Sequence, residues 1–230
     1  MRVAILNLTT PFPELAHVSN AGRMIEAWLK PAMPEAHLSV SDISLGAALP
    51  ALESFDGLVL SGSELGVYDK SEWMEPLRAL MLEARDRGKS MVGICFGHQL
   101  MADTFGGKAE KAQGGMVIGV RRFEQDDGAC DAYAWHQDQV VVVPPGARVV
   151  GHAAHCPVGA LDYDFAGYSV QYHPEYQADT ISREIEHAMR RYLDHDLAEQ
   201  AFASIRERPV DPSLAVERCA DTLRRFRVTA

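Results

Sequence analysis

Met91-Val92-Gly93-Ile94-Cys95-Phe96-Gly97-His98-Gln99 is the stretch from which the fold can be read. An apolar run delivers one cysteine into a turn flanked by glycines, and Leu100, Met101 and Ala102 then restart an apolar pattern at helical spacing. Strand, tight turn and helix in that order make a nucleophile elbow. Glycines on either side permit a tight backbone and a close neighbour, while the new helix turns its free N–H groups and positive dipole end toward the side chain. A thiol so placed gives up its proton more readily. Taken alone, Gly-x-Cys-x-Gly more often marks an ordinary strand-to-helix turn with a buried cysteine, since free Cys is among the most buried residue types. Other segments have to decide.

Upstream of the elbow, residues 2–8 form a nearly unbroken run rich in Val, Ile and Leu, as in a strand buried on both faces of a parallel sheet. The loop Thr9-Thr10-Pro11-Phe12-Pro13 ends it. From Asn20 to Lys30, Ala21, Met24, Ile25, Trp28 and Leu29 recur every three or four residues, which predicts a helix stopped before Pro31. A second strand is expected over Ala36 to Ile43. Phe55 to Leu60 reads as another buried strand, leading into Ser61-Gly62-Ser63-Glu64, and a helix follows from Trp73 to Arg87, ended by Gly88. Met91 to Ile94 is the next strand. Strands alternating with helices predict an open α/β sheet with right-handed crossovers, whose ligands gather at the carboxyl ends of the strands. Ser61-Gly62-Ser63 and Cys95 would both lie there.

Beyond Gly107, short and often alternating segments (Met116 to Phe123, Gln139 to Val143, Arg148 to Ala153, Gly159 to Asp162, Tyr168 to Gln171) predict a largely antiparallel, β-rich extension. One amphipathic helix is expected from Thr180 to Leu197. Asp211-Pro212 supplies an N-cap and first-turn pair for a last helix burying Val216, Cys219, Ala220, Leu223 and Phe226. With no repeat, low-complexity tract or linker, residues 1–230 are expected to form one domain with a helical extension from about residue 178.

The composition, 47% hydrophobic and 23% charged, suits a soluble globular protein, and no apolar run is long enough to span a membrane. Met1 to Asn7 lacks the cleavage site of a signal peptide, so a cytoplasmic location is expected. A net charge of -10 with no Lys/Arg run argues against nucleic-acid binding. Cys95, Cys130, Cys156 and Cys219 lie far apart, which signals neither a disulfide framework nor a zinc site. His152, His155 and Cys156 cluster, but their spacing fits no common ligand pattern, so no metal or other cofactor is expected.

A cysteine nucleophile needs a base and a group to orient that base. Gly167 to Tyr172 reads as a strand with His173-Pro174-Glu175 at its end, where Pro174 fixes the backbone so that imidazole and carboxylate can meet. By itself this tripeptide fits an ordinary loop.

Together, Gly93-Ile94-Cys95-Phe96-Gly97-His98-Gln99 and Tyr172-His173-Pro174-Glu175 resemble the class I glutamine amidotransferases, most closely the amidotransferase domain of GMP synthases. Asp56 to Ser63, Val67-Tyr68-Asp69 and Trp135-His136-Gln137-Asp138 add to the likeness, which covers roughly residues 50–177. The resemblance implies a flavodoxin-like fold and a Cys95, His173, Glu175 triad. Cys95 would attack the γ-carboxamide of glutamine, His173 would protonate the departing ammonia, and Glu175 would orient the imidazole. Backbone N–H groups of Ser63 and Phe96 would form the oxyanion hole. Gly62, Gln99, Trp135 and His136 are the implied substrate-side residues. His136 and Asp138 match positions near the site, with structural roles equally open to them. His98 is expected to make a structural hydrogen bond, and Trp135 to pack.

The family's usual Gly-Gly-Pro is Gly62-Ser63-Glu64 here, which makes the loop less free to flip to positive φ. The residues after Glu175 carry no ATP-binding loop. Three roles therefore stand: a glutaminase subunit passing ammonia to a separate synthetase, a free-standing hydrolase of γ-glutamyl amides or peptides, and a non-catalytic regulatory module. The intact triad residues disfavour the last. The C-terminal helices could cover the core, dock a partner or form a homodimer face.

Overall fold

The computed structural model describes residues 1–10, 12–15, 19–211 and 213–226. In chain order these form β1 (Arg2–Asn7), α1 (Ala21–Leu29), β2 (His37–Asp42), β3 (Gly57–Leu60), α2 (Met74–Asp86), β4 (Ser90–Ile94), α3 (Phe96–Thr104), β5 (Lys108–Lys111), β6 (Val117–Gln125), β7 (Gly128–His136), β8 (Asp138–Val142), β9 (Ala147–Ala153), β10 (Cys156–Tyr163), β11 (Gly167–Val170), α4 (Ala178–Met189), α5 (His195–Glu207) and α6 (Ser213–Arg224).

One nine-stranded sheet has the order β2-β1-β3-β4-β11-β10-β9-β6-β7, and β5 and β8 make a small antiparallel pair. The run from β2 to β11 is parallel throughout, in the doubly wound order of flavodoxin-like sheets. From β10 onward the pairing is antiparallel. The mainly parallel α/β sheet with a β-rich extension is therefore present as the sequence predicts. Because successive side chains point to opposite faces, each parallel strand feeds two cores. Val3, Ile5, Val59, Val92 and Ile94 join α1 and α6 on one face. Ala4, Leu6, Leu58, Leu60 and Met91 join α2 and α3 on the other. A third cluster packs β6 and β7 against α4 and α5. Asn20 caps α1, its side chain accepting the Arg23 N–H at 3.0 Å.

Three sequence expectations need correction. The helix expected over Thr180 to Leu197 is two: the Ala188 carbonyl accepts N–H groups from Arg191, Tyr192 and Leu193, and the Asp194 side chain then caps a new helix at Leu197 N–H, 3.0 Å away. Amphipathic periodicity runs across this break because both helices bury a face against the same sheet. Second, Tyr168 to Gln171 does not belong only to the antiparallel set, since β11 pairs parallel with β4 and antiparallel with β10. Third, β5 and β7 stand where the sequence pattern signals no strand; β7 is Ala-rich, with weak intrinsic strand preference, and is held by nine-residue pairing with β6. Pro212 of the expected cap lies outside the described residues, but the Asp211 carboxylate does accept the Ser213 N–H at 2.9 Å.

The last helix is tied to the central sheet. Cys219, Ala220 and Leu223 are fully buried, and Ser90 Oγ donates to the Leu223 carbonyl at 2.8 Å. Leu223→Ala is expected to destabilise the whole fold by about 2–5 kcal/mol, read as a lower urea midpoint in a single transition. A separate early transition with an unchanged main midpoint would show that α6 folds independently of the sheet.

Candidate active site

Cys95 sits between β4 and α3 with φ 52° and ψ -104°, and among the described residues it is the only non-glycine with positive φ. Such a conformation costs on the order of 1–3 kcal/mol and persists only where the surroundings over-determine it. The surroundings here are two glycines and two strand ends. A Cβ on Gly97 would lie 2.5 Å from the Leu60 carbonyl oxygen, and one on Gly93 would lie 2.6 Å from the Gly97 carbonyl. The Cys95 N–H donates to the Val170 carbonyl at 2.8 Å, and the Gly97 N–H to that of Ser61 at 3.1 Å. The elbow is thus pinned to the ends of β3 and β11. Cys95 is 5% exposed. Its thiol points at the Trp135 carbonyl, 3.6 Å away, and Gln171 Nε2 donates to the sulfur at 3.7 Å.

His173 comes to the cysteine from the turn after β11. Its N–H donates to the Tyr133 carbonyl at 2.8 Å, so β7 holds its backbone. Its Nδ1 is 2.8 Å from Glu175 Oε1, with both side chains buried, and the Tyr176 ring stacks on the imidazole at 4.6 Å. Burial works against a charged imidazole, yet Cys95, within hydrogen-bond reach, and then Glu175 outweigh it and hold His173 well above the usual histidine range. The structure places Cys95, His173 and Glu175 side by side.

The Gly62 loop closes the site from the β3 side. A Cβ at Gly62 would fall 3.1 Å from His173 Cε1 and 3.8 Å from Cys95 Cβ, so this position touches both partners. Ser61 Oγ braces the loop by accepting the Leu8 N–H and donating to the Gly62 carbonyl, each at 2.8 Å. Ser63 keeps negative φ, and its Oγ accepts the Leu65 N–H at 3.3 Å. Phe96 opens α3, where the N–H has no acceptor within the helix.

Gln99 is buried, its Nε2 donating to the Asp138 carbonyl at 2.8 Å and to Gln171 Oε1 at 3.2 Å. Half-buried Trp135 lines the cleft over Cys95. His136 Nδ1 faces the Asp138 carbonyl at 3.2 Å, leaving Nε2 buried without a partner, as are Asp138 Oδ1 and Glu175 Oε2. His98 turns away from the sulfur: Ser169 Oγ lies 2.7 Å from Nδ1, and Nε2 faces the Val158 carbonyl at 3.1 Å. Of the histidine–cysteine cluster, His155 packs against Phe123 and His136, and Cys156 is buried with its thiol on the Val158 carbonyl. Gln171, Tyr176 and Glu184 join the site without a motif to mark them. The signal for Gln171 is its place two residues before His173, on the same strand end and hence the same face. Glu184 looks like any exposed-face residue of a helix until Tyr176 donates to it at 2.7 Å.

Burial lowers His98 to about 4, and burial followed by the nearby His155 and His173 lowers His136 to about 3. Both folded-state values lie below the unfolded value of roughly 6.5, so the unfolded chain binds more protons in between. The stability that these two histidines contribute by staying neutral is complete above about pH 6.5 and falls toward about pH 4, with a slope of up to ~1.4 kcal/mol per pH unit for each. His98→Gln is expected to remove about one proton from that slope in urea titrations run across this range; an unaltered slope would assign the proton uptake elsewhere.

The sequence profile described as "Glutamine amidotransferase class-I" matches residues 18–188. Gamma-glutamyl peptidase 5 of Arabidopsis thaliana is 27% identical over 169 residues, 67% of each chain. A GMP synthase [glutamine-hydrolyzing] of Azoarcus sp. (strain BH72) is 33% identical over 136 residues, covering 52% of this chain and 25% of that protein. Among solved structures, a glutamine amidotransferase from Thermotoga maritima superposes with a TM-score of 0.77 over 96% of this chain and 97% of that one, at 20% identity, a likeness of fold. With a profile that spans the β1–α1 connection to the end of α4, the chain belongs to the class I glutamine amidotransferase family.

Proposed function

We propose that Cys95, His173 and Glu175 act as a catalytic triad that hydrolyses the γ-amide of glutamine or of a related γ-glutamyl compound. The observation that carries this reading is the buried His173–Glu175 pair, 2.8 Å apart, set against the positive-φ cysteine. With Nδ1 engaged by Glu175, Nε2 is the nitrogen that serves the sulfur. Cys95 Sγ bonds to the γ-carboxamide carbon, and the negative charge that develops on oxygen is met by the N–H groups of Phe96 and Ser63. His173, held in its protonated form, gives its proton to the leaving nitrogen as the C–N bond breaks. It then takes a proton from the water that hydrolyses the thioester.

The glutamyl head fits beside Gln99, His136 and Asp138, which line a cavity of about 350 Å³ opening onto Cys95. The unpartnered Asp138 Oδ1 and His136 Nε2 supply the unsatisfied polar atoms that an α-amino-acid group would engage. Gln99, fixed by Asp138 and Gln171, contributes at the same wall. Trp135 roofs the nucleophile.

Residues 1–230 are taken as one catalytic domain, the C-terminal helices included. Two uses of the chemistry remain: supply of ammonia to a synthetase partner, and hydrolysis of larger γ-glutamyl amides by the chain alone. The longer match to a γ-glutamyl peptidase than to a GMP synthase favours the second. No helix among the described residues is long and apolar enough to cross a membrane, and the free cysteines suit a reducing, cytoplasmic setting.

Incubation of the purified chain with glutamine and γ-glutamyl amides, followed by rapid acid quench and mass spectrometry, is expected to trap a γ-glutamyl adduct on the peptide containing Cys95. Cys95→Ala should abolish both adduct and product, a loss on the order of 10³-fold or more. Full turnover by Cys95→Ala would refute the thioester route. Turnover only after a synthetase is added would favour the subunit role.

A further inference from the structure

Gln171 is fully buried just past the end of β11, and Gln99 is buried in the first turn of α3. Their side-chain amides meet, and a group that cannot be reversed sets which way each one faces. The Asp138 carbonyl can only accept, so the end of Gln99 that lies 2.8 Å from it is Nε2. That nitrogen carries a second hydrogen, directed at Gln171 3.2 Å away. Gln171 has to meet it with Oε1, which turns its own Nε2 toward Cys95 Sγ at 3.7 Å. A backbone carbonyl thus fixes, through Gln99, which end of Gln171 the sulfur meets.

The sulfur is held between this donor and an acceptor. The Trp135 carbonyl, 3.6 Å from Sγ, accepts the S–H of a neutral thiol and repels a thiolate. The Gln171 N–H acts in the opposite sense, because a hydrogen bond to an ionised acceptor is roughly twice as strong as one between neutral groups. Ionisation of the sulfur therefore exchanges a weak S–H bond for a charge-assisted one. It does so in a site closed to water, Cys95 being 5% exposed, where protein donors are all that the charge can find. His173 reaches the same sulfur, but its proton comes and goes during turnover, whereas the amide hydrogen stays.

We propose that Gln171 is a catalytic residue whose side-chain N–H supports the negative charge of the Cys95 sulfur, and that Gln99 is the positioning residue that aims it. Its part in turnover rests on the thioester chemistry proposed above. As the Sγ–C bond forms, charge passes from sulfur to the carbonyl oxygen and the Gln171 contact weakens. When water attacks, His173 takes its proton and the C–Sγ bond breaks with its electron pair left on sulfur. The amide meets that charge again as glutamate departs.

Charge on the sulfur can be read without any γ-glutamyl donor, from the rate at which iodoacetamide alkylates the full chain, followed by mass spectrometry of the peptide that contains Cys95. Gln171→Met keeps the length of the side chain and removes the donor. It leaves untouched His173, Tyr176 and Cys156, which interact electrostatically with Cys95. Because only the thiolate reacts, the rate at about pH 6 is expected to fall about tenfold or more, while the rate at about pH 9.5 stays within about twofold. Gln99→Met, which frees Gln171 to turn either end to the sulfur, should show a smaller loss of the same pH-selective form. Unchanged rates in both variants would overturn the assignment, and so would equal losses at the two pH values, which are what a displaced sulfur produces. The unsubstituted chain is tested in parallel for the γ-glutamyl adduct. A pH-selective loss in the variants with no adduct from any donor would uphold Gln171 as the donor to sulfur and overturn the hydrolytic reading alone.

Discussion

The rest of the site depends on the contact between Gly97 and the end of β3. Without a Cβ at residue 97, the start of α3 can lie against the Leu60 carbonyl, and the Gly97 N–H reaches that of Ser61. That approach forces the chain to turn within one residue, and Cys95 takes up the strain at φ 52°. A longer, relaxed turn would carry the sulfur away from the strand ends. The positive φ is thus a consequence of packing α3 onto the sheet, and the folding free energy of two hydrophobic layers holds one residue in a conformation it would not choose.

Sheet topology then decides what meets the sulfur. In the order β3-β4-β11, parallel strands present three carboxyl ends side by side: Gly62 after β3, Cys95 after β4, and Gln171 to His173 after β11. More than 70 residues separate Cys95 from His173 in the chain, yet the strands that carry them are neighbours. The antiparallel half contributes from the flank. β7 fixes the His173 backbone through Tyr133 and offers the Trp135 carbonyl to the thiol. A strand that looks peripheral in the sheet order therefore helps set the distance between His173 and Cys95.

Much of this is legible in the sequence, for reasons that differ by residue. The strands feeding the two cores announce themselves by unbroken apolar runs, and the elbow by its glycines, because both are local consequences of packing. Cys95, His173 and Glu175 stand in short motifs that resemble the family's, and under the proposed chemistry few other residue types could take their places. Gln171 and Tyr176 are not legible in this way because their positions are relational: a glutamine just past a strand end and a tyrosine after a turn acquire meaning only from what folds against them. The break between α4 and α5 is hidden for another reason. Asp194 is a good cap in principle, but nothing in the periodicity of Ile181, Ile185, Ala188 and Leu193 signals that a cap is needed there.

Two deeply buried histidines near Cys95 differ in how their polar atoms are partnered and in which way burial and their neighbours shift them. His98 is as deeply buried as His173, yet both of its ring nitrogens face partners and burial drives it toward neutrality. His136 Nε2, Asp138 Oδ1 and Glu175 Oε2 have no such partners and lie on the side of the fold that holds Cys95, while others such as Trp28 Nε1 and Arg78 Nε lie elsewhere. An unpartnered buried polar atom costs about 1–3 kcal/mol, and a fold with no further role for these groups would gain by replacing them with apolar side chains. Carrying several in one place, next to a strained cysteine, lowers stability where a ligand would restore it.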